Sequence, residues 1–244
     1  MRFYLICICI VYYFVNVEAY YLTTTTLSIP RSGLGACEVL DRFAIFAGGE
    51  TDSAIVPTVD IFDTYNNMWL PSLNLSTPRT NHSVVDAGTF CLIGGGIDNQ
   101  GQFPTLVEVL RYSGTAVGFK PVSVNLSQGR IHMTAVSNIQ RVLFIGGFYG
   151  GKYSYAVDIV SITDFSTVTS ELPSKVGRAK MASVYSHGTS FVAGGYGIDI
   201  GYSKIVEAYN ITTGSWRGLQ DLSEGRLGLT ASNYDNFGND YCIN

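Results

Sequence analysis

Short runs of consecutive apolar residues recur along the chain and stop at glycine: Phe43 to Ala47, Phe90 to Ile93, Val142 to Ile145 and Phe191 to Ala193. Being apolar on successive rather than alternate positions, they predict strands covered on both faces. Another strand is predicted before each, as at His82 to Asp86, across a turn such as Asp86-Ala87-Gly88. After the glycines, a polar or glycine-rich loop leads to an extended segment with an acidic second position. These segments begin Val59-Asp60, Val107-Glu108, Val157-Asp158 and Val206-Glu207. A weaker strand closes each unit near Met68 to Leu70, Phe119 to Val122, Thr167 to Thr169 and Ser215 to Arg217. The pattern predicts four short strands per unit and no helical period.

Two rulers measure the repeat. Double glycines stand at Gly48-Gly49, Gly94-Gly95, Gly146-Gly147 and Gly194-Gly195, in steps of 46, 52 and 48 residues. Arginines start the units at Arg31, Arg79, Arg130, Arg178 and Arg226, in steps of 48, 51, 48 and 48. A period near fifty predicts stacked β units. Trp69 and Trp216 share a register in which the middle units hold Val117 and Thr167. Both are expected to cover the seam between neighbouring sheets, since aromatic burial fills β cores. The arginine and acidic columns have two readings: bonds that fasten strands, or groups that line a central channel. The fastening role is the expectation, because a catalytic site needs distinct groups in converging positions.

The ends bound the domain. Arg2, the apolar run Phe3 to Val15 and the small residues around Ala19 predict a cleaved signal peptide over 1–19. That run is shorter than the roughly 20 residues a membrane span requires, and no later segment is long enough. One domain is predicted over 20–244, with repeats at about 30–77, 78–128, 129–176 and 177–224 and a partial unit at 225–244. Residues 22 to 29 form a β-branched strand candidate placed to join that partial unit and close a ring.

Composition narrows the partners. The formal net charge is -4 and no basic tract occurs, which argues against nucleic acid. Sequons at Asn74, Asn81, Asn125 and Asn210 are candidate N-glycosylation sites in a secreted chain. Three cysteines lie beyond the signal segment, Cys37, Cys91 and Cys242. A bridge between two of them is compatible with an oxidising compartment, but spacing does not choose the pair, and Cys91 reads most simply as a buried hydrophobe. His82, His132 and His187 lack ligand spacing, so neither a metal nor another cofactor is predicted.

The Arg79 to His82 start, Gly94-Gly95, Val59-Asp60-Ile61-Phe62 and Trp69, repeated through Arg178, Gly194-Gly195, Val206-Glu207-Ala208-Tyr209 and Trp216, resemble the kelch-repeat family, including the propeller module of galactose-oxidase-like proteins. The resemblance implies an all-β, kelch-like β-propeller with four recognisable blades and a partial fifth, either a five-bladed ring closed by the N-terminal strand or a piece of a larger one. It also implies several unrelated functions. The expected one is a secreted or cell-surface scaffold that binds an extracellular protein or glycan without catalysis. The loops after the glycines would carry binding, with Tyr149, Tyr153, Tyr155, Tyr196 and Tyr202 as contact residues. The alternative is a carbohydrate-active enzyme (epimerase, hydrolase or oxidase) on the same scaffold. No nucleophile-elbow, zinc-protease or phosphate-loop motif decides for catalysis.

Overall fold

A computed structural model describes residues 25–138, 140–233 and 242–243. The predicted signal peptide lies outside the described residues. Four antiparallel sheets follow one another along the chain. The first holds β1 (Gly35–Val39), β2 (Phe43–Ala47), β3 (Thr58–Asp63), β4 (Met68–Trp69) and β5 (Leu73–Asn74), with β5 pairing on β3. The second is a meander of β6 (Ser83–Ala87), β7 (Phe90–Gly94), β8 (Leu106–Tyr112) and β9 (Val117–Asn125). The third holds β10 (Thr134–Ser137) and β11 (Arg141–Ile145), then the small hairpin β12 (Phe148–Tyr149) and β13 (Lys152–Tyr153) leads to β14 (Ala156–Ser161) and β15 (Thr167–Glu171). The fourth repeats this plan: β16 (Ala182–Ser186) and β17 (Thr189–Ala193), the hairpin β18 (Tyr196–Gly197) and β19 (Gly201–Tyr202), then β20 (Val206–Asn210) and β21 (Ser215–Gly218). The chain ends in a two-stranded stub, β22 (Ala231–Ser232) with β23 (Cys242–Ile243).

The first strands of successive sheets stand side by side, β1 against β6, β6 against β10, β10 against β16, and β16 against β22. The core therefore lies between sheets, in three slabs. Cys91 and Ile93 of β7 join Ile45 and Ile61 in the first slab, while Leu92 of the same strand joins Phe144 and Val160 in the second. On β11, Val142 and Phe144 face the second slab, and Leu143 and Ile145 face the third. This explains the unbroken apolar runs: successive residues of a central strand point to opposite neighbours, and both faces are dry. Each such side chain contributes about 1.5–3 kcal/mol. A disulfide between Cys37 of β1 and Cys91 of β7 ties the first two sheets together, the pairing that spacing left open.

The expected closed kelch-type propeller is not formed. The sheets are open and arranged in a row, and among the described residues no strand pairing joins the first sheet to the last. Of the predicted closing strand over 22–29, residues 22–24 lie outside the described residues, and the rest is engaged locally. Residues 25–29 form no strand; Ser28 instead gives its backbone N–H and hydroxyl to Asp60 of β3, and Thr25 accepts from Trp69 Nε1. The N-terminal segment is thereby committed to its own sheet. The tryptophans divide: Trp216 packs against the slab between the third and fourth sheets, as expected, while the ring contacts of Trp69 run within its own sheet. Trp69 packs on Phe46 and Phe62, and Trp216 on Tyr209.

One glycine pair shifts register. The tight left-handed turns are Gly48-Gly49, Gly146-Gly147, Gly194-Gly195 and, in the second unit, Gly95-Gly96 rather than Gly94-Gly95. Gly94 is the last residue of β7, where a Cβ would lie 2.8 Å from the Phe144 ring of the next sheet. The second glycine of each turn donates its N–H to the next unit's arginine carbonyl: Gly49 to Arg79, Gly96 to Arg130, Gly147 to Arg178 and Gly195 to Arg226, at 2.8–2.9 Å.

Candidate functional site: a polar cavity beside the inner strands

The arginines are anchors. Arg31 meets Asp60 at 2.9 Å, Arg79 meets Glu108 at 3.0 Å, Arg130 meets Asp158 at 2.5 Å, and Arg178 pairs with Glu207. All four guanidiniums are buried, and three also bond carbonyls at the glycine turns: Arg31 to Gly48, Arg79 to Gly95 and Arg178 to Gly194. Each acid accepts in addition a backbone N–H from the segment leading into an arginine, from Ser28, Ser76, Ser127 and Ser174. Saturated this way, the acids are not free to act as a general acid and base.

Two residues beyond each arginine, the backbone turns left-handed. Gly33 (φ 62°), Asn81 (53°), His132 (53°), Lys180 (55°) and Gly228 (66°) occupy the five equivalent positions. Their main chains form a ladder. Asn81 N–H donates to Gly33 O, His132 to Asn81, Lys180 to His132 and Gly228 to Lys180, at 3.0–3.1 Å. Glycine takes this conformation freely, and asparagine often does, whereas histidine and lysine pay about 1–2 kcal/mol. Side chains held in strained backbone positions cluster at functional sites.

Here the side chains line a cavity of about 240 Å³ that is broadly open to solvent, formed by Gly33, Leu34, Asn81, His82, His132, Met133 and Lys180. Half-burial, and then the neighbouring Lys180 charge, lower the His132 pKa, so its imidazole is neutral at pH 7. Lys180 is exposed, and no ion pair holds it among the described residues. His82 is the odd wall. Its equivalents are Leu34, Met133, Met181 and Leu229, and the ring wedges against Gly48, where a Cβ would lie 2.7 Å from Cε1. Neither ring nitrogen makes an aligned hydrogen bond. Burial and the nearby Arg79 charge push its pKa down to about 4, only partly offset by the Ala47 and Arg79 backbone.

The predicted tyrosines divide into two groups. Tyr153 and Tyr196 are half-buried and pack edge to face at 5.6 Å, linking the third and fourth units. Tyr149, Tyr155 and Tyr202 are exposed. Tyr149 rests on Phe103 at 5.3 Å and Tyr202 on Tyr196 at 5.7 Å. Among the sequons, Asn74 and Asn125 are exposed at the ends of β5 and β9. Asn210 is half-buried and accepts the Thr213 N–H. Asn81 lines the cavity, which a glycan there would fill. The cavity residues were missed in the sequence because they differ in type; reading two positions past each arginine would have aligned them.

Comparison with known proteins supports the fold and no more. No protein-family model matches the chain, so kelch membership is not upheld, and no curated protein matches it. A solved structure titled "Structure of YjhT" is similar, with a TM-score of 0.67 and 14% identity over 85% of this chain and 75% of that one. At that identity the likeness concerns architecture alone. Among the described residues, no helix is long and apolar enough to cross a membrane, and no group of three or more His, Cys, Asp or Glu is placed to hold a metal.

Proposed function

We propose that the inner cavity binds a carbohydrate, with Asn81, His132 and Lys180 as its polar contacts. The observation that carries this reading is the ladder, which presents three dissimilar hydrogen-bonding side chains to one small space. A sugar ring needs such a mixture: an amide that both donates and accepts, an imidazole that does either, and a cationic donor. Apolar walls from Leu34 and Met133 suit its C–H faces. The test is a glycan array probed with the purified chain and with Asn81→Ala and His132→Ala. Each variant is expected to lose about tenfold or more of the affinity for the glycans bound, from one hydrogen bond of 1.5 kcal/mol or so. Retained binding in both variants overturns the reading.

A catalytic version of the same site has one observation in its favour. His132, its pKa lowered by burial, offers a neutral imidazole and lines the same cavity as Lys180; proton transfer on a sugar, as in an epimerase, uses a positioned base of this kind. Glycoside hydrolysis of the usual kind calls for two carboxylates, and none lines the cavity. Proton-NMR assay of a panel of free sugars for stereochemical interconversion, lost in His132→Ala, is the expected outcome. Interconversion unchanged in that variant, or absent with every sugar, removes the catalytic version.

A further inference from the structure

Resting on the carbohydrate reading, we propose that the aromatic hairpins next to the cavity form a second subsite, so that the ligand is an oligosaccharide rather than a single sugar. The connection is through the backbone. His132 follows Ile131, whose N–H and C=O bridge Phe148, and Lys180 follows Ala179, which bridges Tyr196 in the same way, all at 2.8–3.0 Å. The polar groups of the cavity and the rings of the rim are thus set by the same two bridges. From Phe148 the rings continue outward, to Tyr153 at 5.1 Å, to Tyr196 at 5.6 Å and to Tyr202 at 5.7 Å, each meeting the next edge to face.

The last ring of this path is 63% exposed and Tyr149, across on the neighbouring hairpin, is 40% exposed. Both are stiff platforms. Each leans on a supporting ring, and the Tyr202 carbonyl lies so close to Gly225 that a Cβ there would sit 2.2 Å from it. A pyranose has an apolar C–H face and a polar edge, and it stacks on such a ring without requiring a charge partner. The exposed rings stand among Gly150, Gly151, Lys152, Gly201 and Lys204, with Ile198 and Ile200 exposed on the same hairpin as Tyr202. Exposed rings tied through the backbone to the polar side chains of the cavity fit a chain of sugar rings, with its end in the cavity and its later units on the rim.

The experiment is calorimetric titration of the chain with β-1,4-linked glucose, mannose and N-acetylglucosamine oligomers of one to six residues. Affinity in at least one series is expected to rise with length, by about tenfold per stacked ring. Tyr202→Ala and Tyr149→Ala should abolish that rise, while leaving binding of the shortest ligand and the melting temperature intact; Tyr202→Phe should keep it. Ile198→Ser, at the exposed hairpin tip, should change nothing. Binding that is insensitive to length but lost in His132→Ala overturns the rim subsite and spares the cavity. A length gain lost in Ile198→Ser and kept in Tyr202→Ala also overturns it. Failure of every oligomer to bind at any length overturns both readings.

Discussion

At the residue scale, His82 is the sharpest anomaly. It stands where the other units carry leucine or methionine, with both ring nitrogens buried and without an aligned partner. An unsatisfied buried polar group costs about 1–3 kcal/mol, so His82→Met is expected to raise thermal stability at pH 7. The pH dependence follows from the lowered pKa. The unfolded chain takes up a proton near pH 6.5 and the folded one near pH 4, so stability is present above 6.5 and falls as pH drops through that window. Between pH 7 and pH 5 the wild type should lose about 2 kcal/mol through this residue. Denaturant titrations at both pH values check it; equal pH losses in wild type and His82→Met would refute the assignment.

At the element scale, the glycine turn joins one sheet to the next. A Cβ on Gly95 would lie 2.4 Å from the Arg130 carbonyl, in a left-handed turn with φ 71°. Gly88 has a similar φ of 69° but open space around it. Gly95→Ala should therefore destabilise by about 3 kcal/mol or more, and Gly88→Ala by only about 1 kcal/mol, measured by chemical denaturation. Equal losses would mean that backbone strain, not the inter-sheet contact, sets the cost. The strands themselves were legible in the sequence because burial on both faces leaves uninterrupted apolar runs such as Val142 to Ile145. The second glycine turn was misread by one residue because three glycines stand in a row at Gly94, Gly95 and Gly96, and only the close approach of Phe144 separates the strand end from the turn.

At the scale of the whole molecule, the row of sheets depends on contacts between neighbours, as in other repeat arrays. The Cys37–Cys91 disulfide closes a separation of 54 residues between the first two sheets. Loop-closure entropy assigns it about 4 kcal/mol. Reduction should lower the melting temperature and, by hydrogen exchange, release β1 and β2 before β16 and β17; uniform loss of protection would contradict neighbour-only coupling. Closure was not legible from the sequence. A β-branched run has strand propensity wherever it lies, and among the described residues the partnership of Ser28 with Asp60, set 32 residues apart, decides the place of residues 25–29. The cavity was hidden for the same reason, since Asn81, His132 and Lys180 become neighbours only through the ladder.

The bond from each second glycine to the next arginine carbonyl has no side chain in it. It dictates spacing and the glycine that donates, and makes no use of the side chain two places beyond the arginine. Whatever residue stands two places beyond the arginine, the joint between sheets is made by the same two backbone groups. The joints between sheets and the proposed carbohydrate contacts are therefore separately addressable in this molecule. The positions now held by Asn81, His132 and Lys180 can be exchanged among residues that accept a left-handed backbone while the row of sheets keeps its form.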